Sequence, residues 1–189
     1  MALTHRMTIP AAEIFKAYDI RGIVDHSLTE TTVQQIGQAV ASDTLARQGD
    51  TVIVGRDGRL SGPRLVSALS DGIRAGGCDV VDIGMVATPC TYFASHHLNI
   101  GSAISVTGSH NPPEYNGLKI MVGGETLFGE RIQDLRHRIE TGELEHGSGN
   151  RRETDVVEAY LNRITSTIEL VRPLKIVTDC GNGVAGALV

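Results

Sequence analysis

Nothing in this chain marks it for nucleic acid, for a membrane or for export. A basic excess is missing: 17 lysines and arginines stand against 22 aspartates and glutamates, a net charge of −5. A nucleic-acid footprint would show the opposite balance. Long apolar runs are missing too, none approaching the ~20 residues of a membrane-spanning helix. The opening MALTHRMTIPAAE has no apolar stretch of the kind a secretory signal needs. Cysteine is sparse. Cys78, Cys90 and Cys180 lie far apart with no CxxC pair, which suits reduced, buried thiols of a cytoplasmic protein better than disulfides or zinc. Tryptophan is absent and aromatic residues make up only 4%.

What is present is an ordinary globular composition, 41% apolar and 21% charged. Its 189 residues can hold one good core, or one domain and part of another. After a loose leader over 1–12, an irregular apolar segment from Ile14 ends in a turn at Arg21-Gly22. Ser27 and Glu30 form a capping box, and Val33, Ile36, Val40 and Leu45 follow at helical spacing. Thr51–Val54 reads as a buried strand, Leu65, Val66, Leu69 and Ile73 as a second amphipathic helix, and Cys78–Ile83 as the next strand. Thr88 is placed to cap a third helix with Pro89 at its first position. The strand Gly101–Val106 follows. Strand and helix in alternation predict an α/β layer with a mixed or parallel sheet and flanking helices.

The central stretch is SVTGSHNPPEYNGLKIM, Ser105 to Met121. Two apolar runs, Ala103–Val106 and Leu118–Val122, flank a loop dense in Gly, Asn, Pro and hydroxyls, predicting strand, tight loop and strand. Ser109 sits at its tip with His110 beside it and Lys119 ten positions on. A hydroxyl next to a basic side chain is the raw material of a covalent nucleophile. Polar loops of Ser and Asn also cap their own backbone, and the residues alone leave both readings open. Loops at the ends of central strands are where α/β proteins place their chemistry.

Three further features carry alternatives. GRDGRLSG, Gly55–Gly62, follows a strand and precedes a helix like a phosphate cradle. It lacks the Gly-Lys-Ser/Thr of a Walker A motif, so Asp57 is expected to tie the loop together through backbone hydrogen bonds, and Arg59 is left out of the site. His96-His97 point about 100° apart on a helix and so cannot chelate one metal. Gly181-Asn182-Gly183-Val184-Ala185-Gly186 is a literal G-x-G-x-x-G after the expected strand Leu174–Asp179, a weak dinucleotide signal.

After a turn at Gly123–Thr126, a helix buries Ile132, Leu135 and Ile139 and turns Arg131, Arg136 and Arg138 outward. TGELEHGSGNRR, 141–152, is the expected domain boundary. Beyond it a helix carries Val156, Val157, Tyr160, Leu161, Ile164 and Ile168 and stops at Pro173.

FKAYDIRG, GRDGRLSG, GMVATP, TGSHNPPEYNGLKI and DCGNGVAG, in that order along the chain, resemble the α-D-phosphohexomutases, most closely the bacterial phosphomannomutase/phosphoglucomutase branch. The resemblance implies domain 1 of such an enzyme over 13–153 and the incomplete start of a second, similar α/β domain over 154–189, where the glycines of GNGVAG serve packing. It implies that Ser109 carries a phosphoryl group and exchanges it with a hexose 1- or 6-phosphate of mannose or glucose through a bisphosphorylated sugar. Arg21 would contact the phosphoserine by paired hydrogen bonds and Tyr18 the bound sugar. Lys119 would act as general base or charge partner, and His110 would relay a proton or orient the loop. Asn111, grouped with the phosphate-binding residues, would fix the loop by side-chain hydrogen bonds.

The family's Mg²⁺ is held by the phosphoserine and an acidic loop. No such loop occurs here, so Ser109, through its phosphate, is the only implied ligand, and one oxygen is not a site for a hard cation. The expectation is therefore a truncated chain that binds no Mg²⁺ and is inactive alone, though its family uses a glucose 1,6-bisphosphate-type activator and phosphosugar substrates. Neither nucleic acid nor membrane is an expected partner. A full-length relative would be a monomer, and this chain is expected to self-associate through its unfinished second domain.

Overall fold

The computed structural model describes residues 9–188. Residues 1–8 of the expected leader lie outside the described residues; Pro10 is buried and Ala12–Ile14 form one 3₁₀ turn. The described residues form seven strands and five α-helices: β1 (Ile20–Ile23), α1 (Glu30–Ala46), β2 (Thr51–Arg56), α2 (Gly62–Ala75), β3 (Asp79–Met85), α3 (Thr88–His97), β4 (Ser102–Val106), β5 (Tyr115–Val122), β6 (Glu125–Thr126), α4 (Glu130–Thr141), β7 (Arg151–Glu153) and α5 (Val157–Thr165).

One mixed sheet runs β1-β5-β4-β2-β3-β7, with β6 on β5. β2 pairs parallel with both β3 and β4, and β3 parallel with β7. β5 runs antiparallel between β4 and β1. The central parallel strands β2 and β4 are buried on both faces because both faces are covered. Val52, Val54, Ile104 and Val106 meet α1, α2 and α4 on one side, while Ile53, Val81 and Ala103 meet α3 and Val156 on the other. The result is three layers, helix–sheet–helix.

Several local expectations give way to neighbours in space. Arg21 and Gly22 lie inside β1, opposite Gly117 and Asn116, rather than in a turn. The cap of α1 is Thr29, whose hydroxyl accepts from Thr32 N at 3.1 Å; Ser27 Oγ instead accepts from Ile23 N. Thr88 is the first residue of α3, capped by Ala87, and its hydroxyl faces Ser105 Oγ at 3.1 Å. The turn before α4 contains the two-residue strand β6.

The glycine-rich boundary segment packs closely on the sheet edge. Gly147 N and Gly149 N donate to Ala75 O and Arg74 O, and the segment delivers β7 to the edge of β3. α5 ends at Thr165, well before Pro173, and leaves Ile168 outside it. Leu174–Asp179 is not a strand: Leu174, Ile176 and Val177 are exposed, and among the described residues no partner strand lies beside them. An apolar alternation becomes a strand only when an edge accepts its hydrogen bonds.

The chain reverses its direction of travel across the sheet between β2 and β4: β3 lies on one side of β2 and β4 on the other. Crevices at such reversals, beyond the carboxyl ends of the strands, are where open α/β sheets bind ligands. Asp57–Ser61 leaves β2 there, and Thr107–Glu114 leaves β4 beside it.

Candidate active site

The two loops are locked together by side chains. Asp57 Oδ2 accepts from Thr107 Oγ1 at 2.8 Å and from Gly108 N at 3.1 Å, while Oδ1 accepts from Arg59 N at 3.0 Å. Asn116, fully buried, donates from Nδ2 to Ser61 Oγ at 2.9 Å. Arg59 reaches across and donates to four backbone carbonyls: Ser109 at 3.0 Å, Asn111 at 2.6 Å, Pro112 at 2.6 Å and Tyr115 at 3.0 Å. Asp57 thus ties its own loop, as expected from the sequence, and also the serine loop fifty residues away. The planar fork of a guanidinium suits several carbonyls fixed around it; a lysine ammonium cannot reproduce it.

Ser109 sits at the exposed tip with φ of +52°, a left-handed conformation uncommon for a residue with a side chain. Its N–H donates to Thr107 Oγ1 at 2.9 Å and its carbonyl accepts from Arg59. Both of its backbone groups are therefore held by side chains. Ser109 Oγ lies 3.5 Å from His110 Nδ1, at the outer limit of a hydrogen bond. Asn111 Nδ2 and N both donate to Gly108 O, at 2.9 and 3.0 Å, closing the turn.

Arg21, Tyr18, Lys119 and Asn111 line one cleft of about 820 Å³. Ser109 and Asn111 line an adjoining one of about 870 Å³, together with Arg59, Arg64 and the Asn182–Val184 turn. Asn111 is common to both. Lys119 is paired not with Ser109 but with Asp19, its Nζ 3.8 Å from Oδ2, and the same oxygen accepts from Arg21 Nη2. This follows from the antiparallel pairing of β1 with β5: Ile20 and Leu118 are partners that bury inward, which turns Asp19, Arg21 and Lys119 to the other face. Tyr18 is 75% exposed at the cleft rim. Arg21 Nε is buried and has no hydrogen-bond partner among the described residues. The Arg21 side chain lines the cleft beside Lys119, and a guanidinium next to an ammonium is suited to an anion such as a phosphoryl group.

Asp19, Arg59 and Thr107 are site residues that sequence reasoning missed. No local pattern announces Asp19; for Arg59 the signal was present, a GRDGR turn directly after a strand that ends beside the serine strand.

Among the described residues no three His, Cys, Asp or Glu side chains gather as a metal site. Asp57, which bonds the serine loop, is engaged by Thr107, Gly108 and Arg59 N. The residues present do not make up a Mg²⁺ site. GNGVAG lacks the strand–turn–helix context of a dinucleotide fingerprint, since the preceding segment is unpaired and a 3₁₀ turn, Val184–Leu188, follows. His96 and His97 are exposed on α3, with His97 stacked on Phe93 at 5.1 Å. Among the described residues, no helix is long and apolar enough to cross a membrane.

Residues 12–146 match the family described as phosphoglucomutase/phosphomannomutase, alpha/beta/alpha domain I. The chain is 50% identical over 188 residues to a phosphomannomutase/phosphoglucomutase of Pseudomonas aeruginosa, covering 100% of this chain and 40% of that protein. It is 47% identical over 179 residues to a phosphoglucomutase of Neisseria meningitidis, covering 94% and 39% respectively. A crystal structure of a phosphoglucomutase/phosphomannomutase family protein from Burkholderia thailandensis superposes with a TM-score of 0.90 at 50% identity, covering 94% of this chain and 41% of that one. The chain thus spans about 40% of the length of the curated relatives it matches.

Proposed function

Since the chain belongs to the phosphoglucomutase/phosphomannomutase family and comprises its domain I, we propose that it carries the phosphoryl-accepting serine of a phosphohexomutase, and that this residue is Ser109. The observation that carries the reading is the clamp on Ser109. A loop with both backbone groups of one serine fixed, its hydroxyl at the tip and cationic side chains in the adjoining cleft, supplies what phosphoryl transfer asks of a protein: alignment and charge neutralisation.

In this reading, within a whole phosphohexomutase, phosphorylated Ser109 gives its phosphoryl group to the free hydroxyl of a mannose or glucose 1- or 6-phosphate, and the 189-residue chain alone does not turn the sugar phosphates over. The Oγ–P bond breaks, a sugar O–P bond forms, and the sugar hydroxyl proton passes through His110 to Ser109 Oγ. The bisphosphorylated sugar then returns its other phosphoryl group to Ser109. Lys119 serves as charge partner rather than base, because an ammonium ion-paired with Asp19 has no lone pair to accept a proton. His110, nearest to Oγ, is the proton relay, Arg21 pairs its guanidinium with the phosphoryl oxygens, Tyr18 meets the sugar at the rim and Asn111 keeps the loop closed.

Residues 154–189 are proposed as the beginning of a second α/β domain, with Leu170, Val171, Leu174, Ile176 and Val177 exposed along it. The 189-residue polypeptide is proposed to self-associate through that segment, which a concentration-dependent sedimentation coefficient would support and a constant monomer value would refute. The protein is proposed to act in the cytoplasm.

The test of the main reading is the intact mass of the purified chain before and after glucose 1,6-bisphosphate, with peptide mapping. One phosphoryl group on Ser109, absent from Ser109→Ala, is the expected result. A phosphate elsewhere, or none under either condition, would overturn it.

A further inference from the structure

We infer that Arg59 is a positioning residue for Ser109, setting the direction of the hydroxyl through the backbone of the loop. The inference rests on the reading of Ser109 as phosphoryl acceptor. Three observations meet at this side chain. Its guanidinium collects the carbonyls of Ser109, Asn111, Pro112 and Tyr115, which no other described side chain contacts. Its Nε stands 3.6 Å from Asp57 Oδ2, the oxygen that also accepts from Thr107 Oγ1 and Gly108 N. The space it fills is the space a β-carbon on Gly108 would need, since one built there overlaps Arg59 Nε and Cζ.

These contacts explain why Ser109 holds a left-handed backbone. Left to itself, a serine returns to negative φ, and the rotation swings Cβ and Oγ to a new direction. Here the carbonyl of Ser109 is drawn to Arg59 and its N–H to Thr107, so the strained conformer is the one in which both groups are bonded. Strain maintained by surrounding contacts at a reactive residue is a known route to pre-organisation. Arg59 is only partly exposed, with 16% of its side chain accessible, and four of its hydrogen bonds end on loop carbonyls. It acts on the loop rather than on the substrate.

The variants are Arg59→Lys, Arg59→Ala and Gly108→Ala in the 189-residue chain. Arg59→Lys keeps the charge without the fork, and Gly108→Ala expels the guanidinium while leaving it in the chain. Three measurements are made on each: thermal unfolding, hydrogen exchange of the Ser109 amide, and the rate of phosphate uptake on Ser109 from glucose 1,6-bisphosphate by intact mass. Arg59→Lys is expected to stay folded, to lose protection at the Ser109 amide and to take up phosphate about 10²-fold more slowly, the scale expected for a reacting group misplaced by an ångström. Gly108→Ala is expected to give the same pattern, and the double variant Gly108→Ala/Arg59→Lys to add little to either. Uptake by Arg59→Lys within threefold of the unaltered chain, or Ser109 protection unchanged in folded Arg59→Lys or Gly108→Ala, overturns the inference. If the unaltered chain takes up no phosphate, the proposed function falls, and the amide protection alone decides the role of Arg59.

Discussion

The α-carbon of Gly72 on α2 rests against the backbone carbonyl of Gln34 on α1, so closely that a β-carbon built at Gly72 overlaps that oxygen. Gly37 makes the reciprocal approach to Leu69 O, and Gly76 faces Ala41 with a built β-carbon 2.6 Å from the alanine methyl. The two helices therefore cross backbone to backbone along glycines. This fixes α2, and with it the Asp57–Ser61 loop at its amino end. Gly72→Ala is expected to lower stability by about 3 kcal/mol, the upper range for overpacking against a part that cannot yield. Thermal unfolding should show a loss of roughly 10 °C for a chain of this size.

Asp57 holds three donors from two loops. Asp57→Asn replaces one acceptor oxygen with an NH₂ group that must face a donor, so at least one of Arg59 N, Thr107 Oγ1 or Gly108 N is left without its partner. A loss of about 2–3 kcal/mol is expected, the penalty for a charge-assisted bond broken in a mostly buried site. Denaturant unfolding measures it, and Ser109 amide exchange should quicken in step.

Asp19 sits between Arg21 and Lys119 as their shared counter-ion. Inorganic phosphate is expected to raise the melting temperature of the unaltered chain, as any ligand of the folded state does. Arg21→Ala and Lys119→Ala should abolish the rise. Asp19→Asn should enlarge it, because a neutral amide no longer competes for the cations. A rise unchanged in all three variants would place the anion elsewhere.

The cysteines should differ sharply in reactivity. Burial, with Asp50 and Asp79 adding to it, pushes the Cys78 thiol up to about 11, and burial also raises Cys90. Cys180 is half-exposed near the Asn182 turn. A thiol reagent at pH 8 should label Cys180 alone in the folded chain, and all three after denaturation. Since the unfolded Cys78 deprotonates near the ordinary thiol value of 9.0 while the folded one does not, its burial should lower stability as pH rises from about 9 towards 11.

At the acid end, Arg64 clasps Asp25 with contacts of 2.5 and 2.7 Å and holds its carboxyl below the ordinary value of 3.8. A carboxylate with a depressed folded pKa stabilises above its unfolded pKa and loses that contribution as pH falls through the folded one. The melting temperature of the unaltered chain should therefore fall below pH 4 slightly more steeply than that of Asp25→Asn. The pair lies at the surface, and 1 M salt should remove most of the difference.

Much of this molecule was legible in its residues. The apolar periods of α1, α2, α4 and β2 fix those elements because burial rewards each pattern locally, and five motifs in order fix the family. The serine loop was legible as a polar turn between two apolar strands, with Ser109, His110, Asn111 and Lys119 already in view. Expectations failed where a partner distant in sequence decides. Thr29 caps α1 in place of Ser27 because β1 draws the Ser27 hydroxyl to Ile23 N.

The sequence by itself determined which segments can be strands and helices, and that a serine stands at the end of a central strand. Only the tertiary structure decided what holds that serine. A guanidinium finds its four carbonyls through space, fifty residues from its own loop, and Asp19 meets Lys119 because β1 lies antiparallel to β5. The same reason covers Leu174–Asp179, whose alternation allows a strand but whose backbone has no edge to join. Covalent neighbours set local preference. Hydrogen bonds and ion pairs choose among the surfaces that folding brings near.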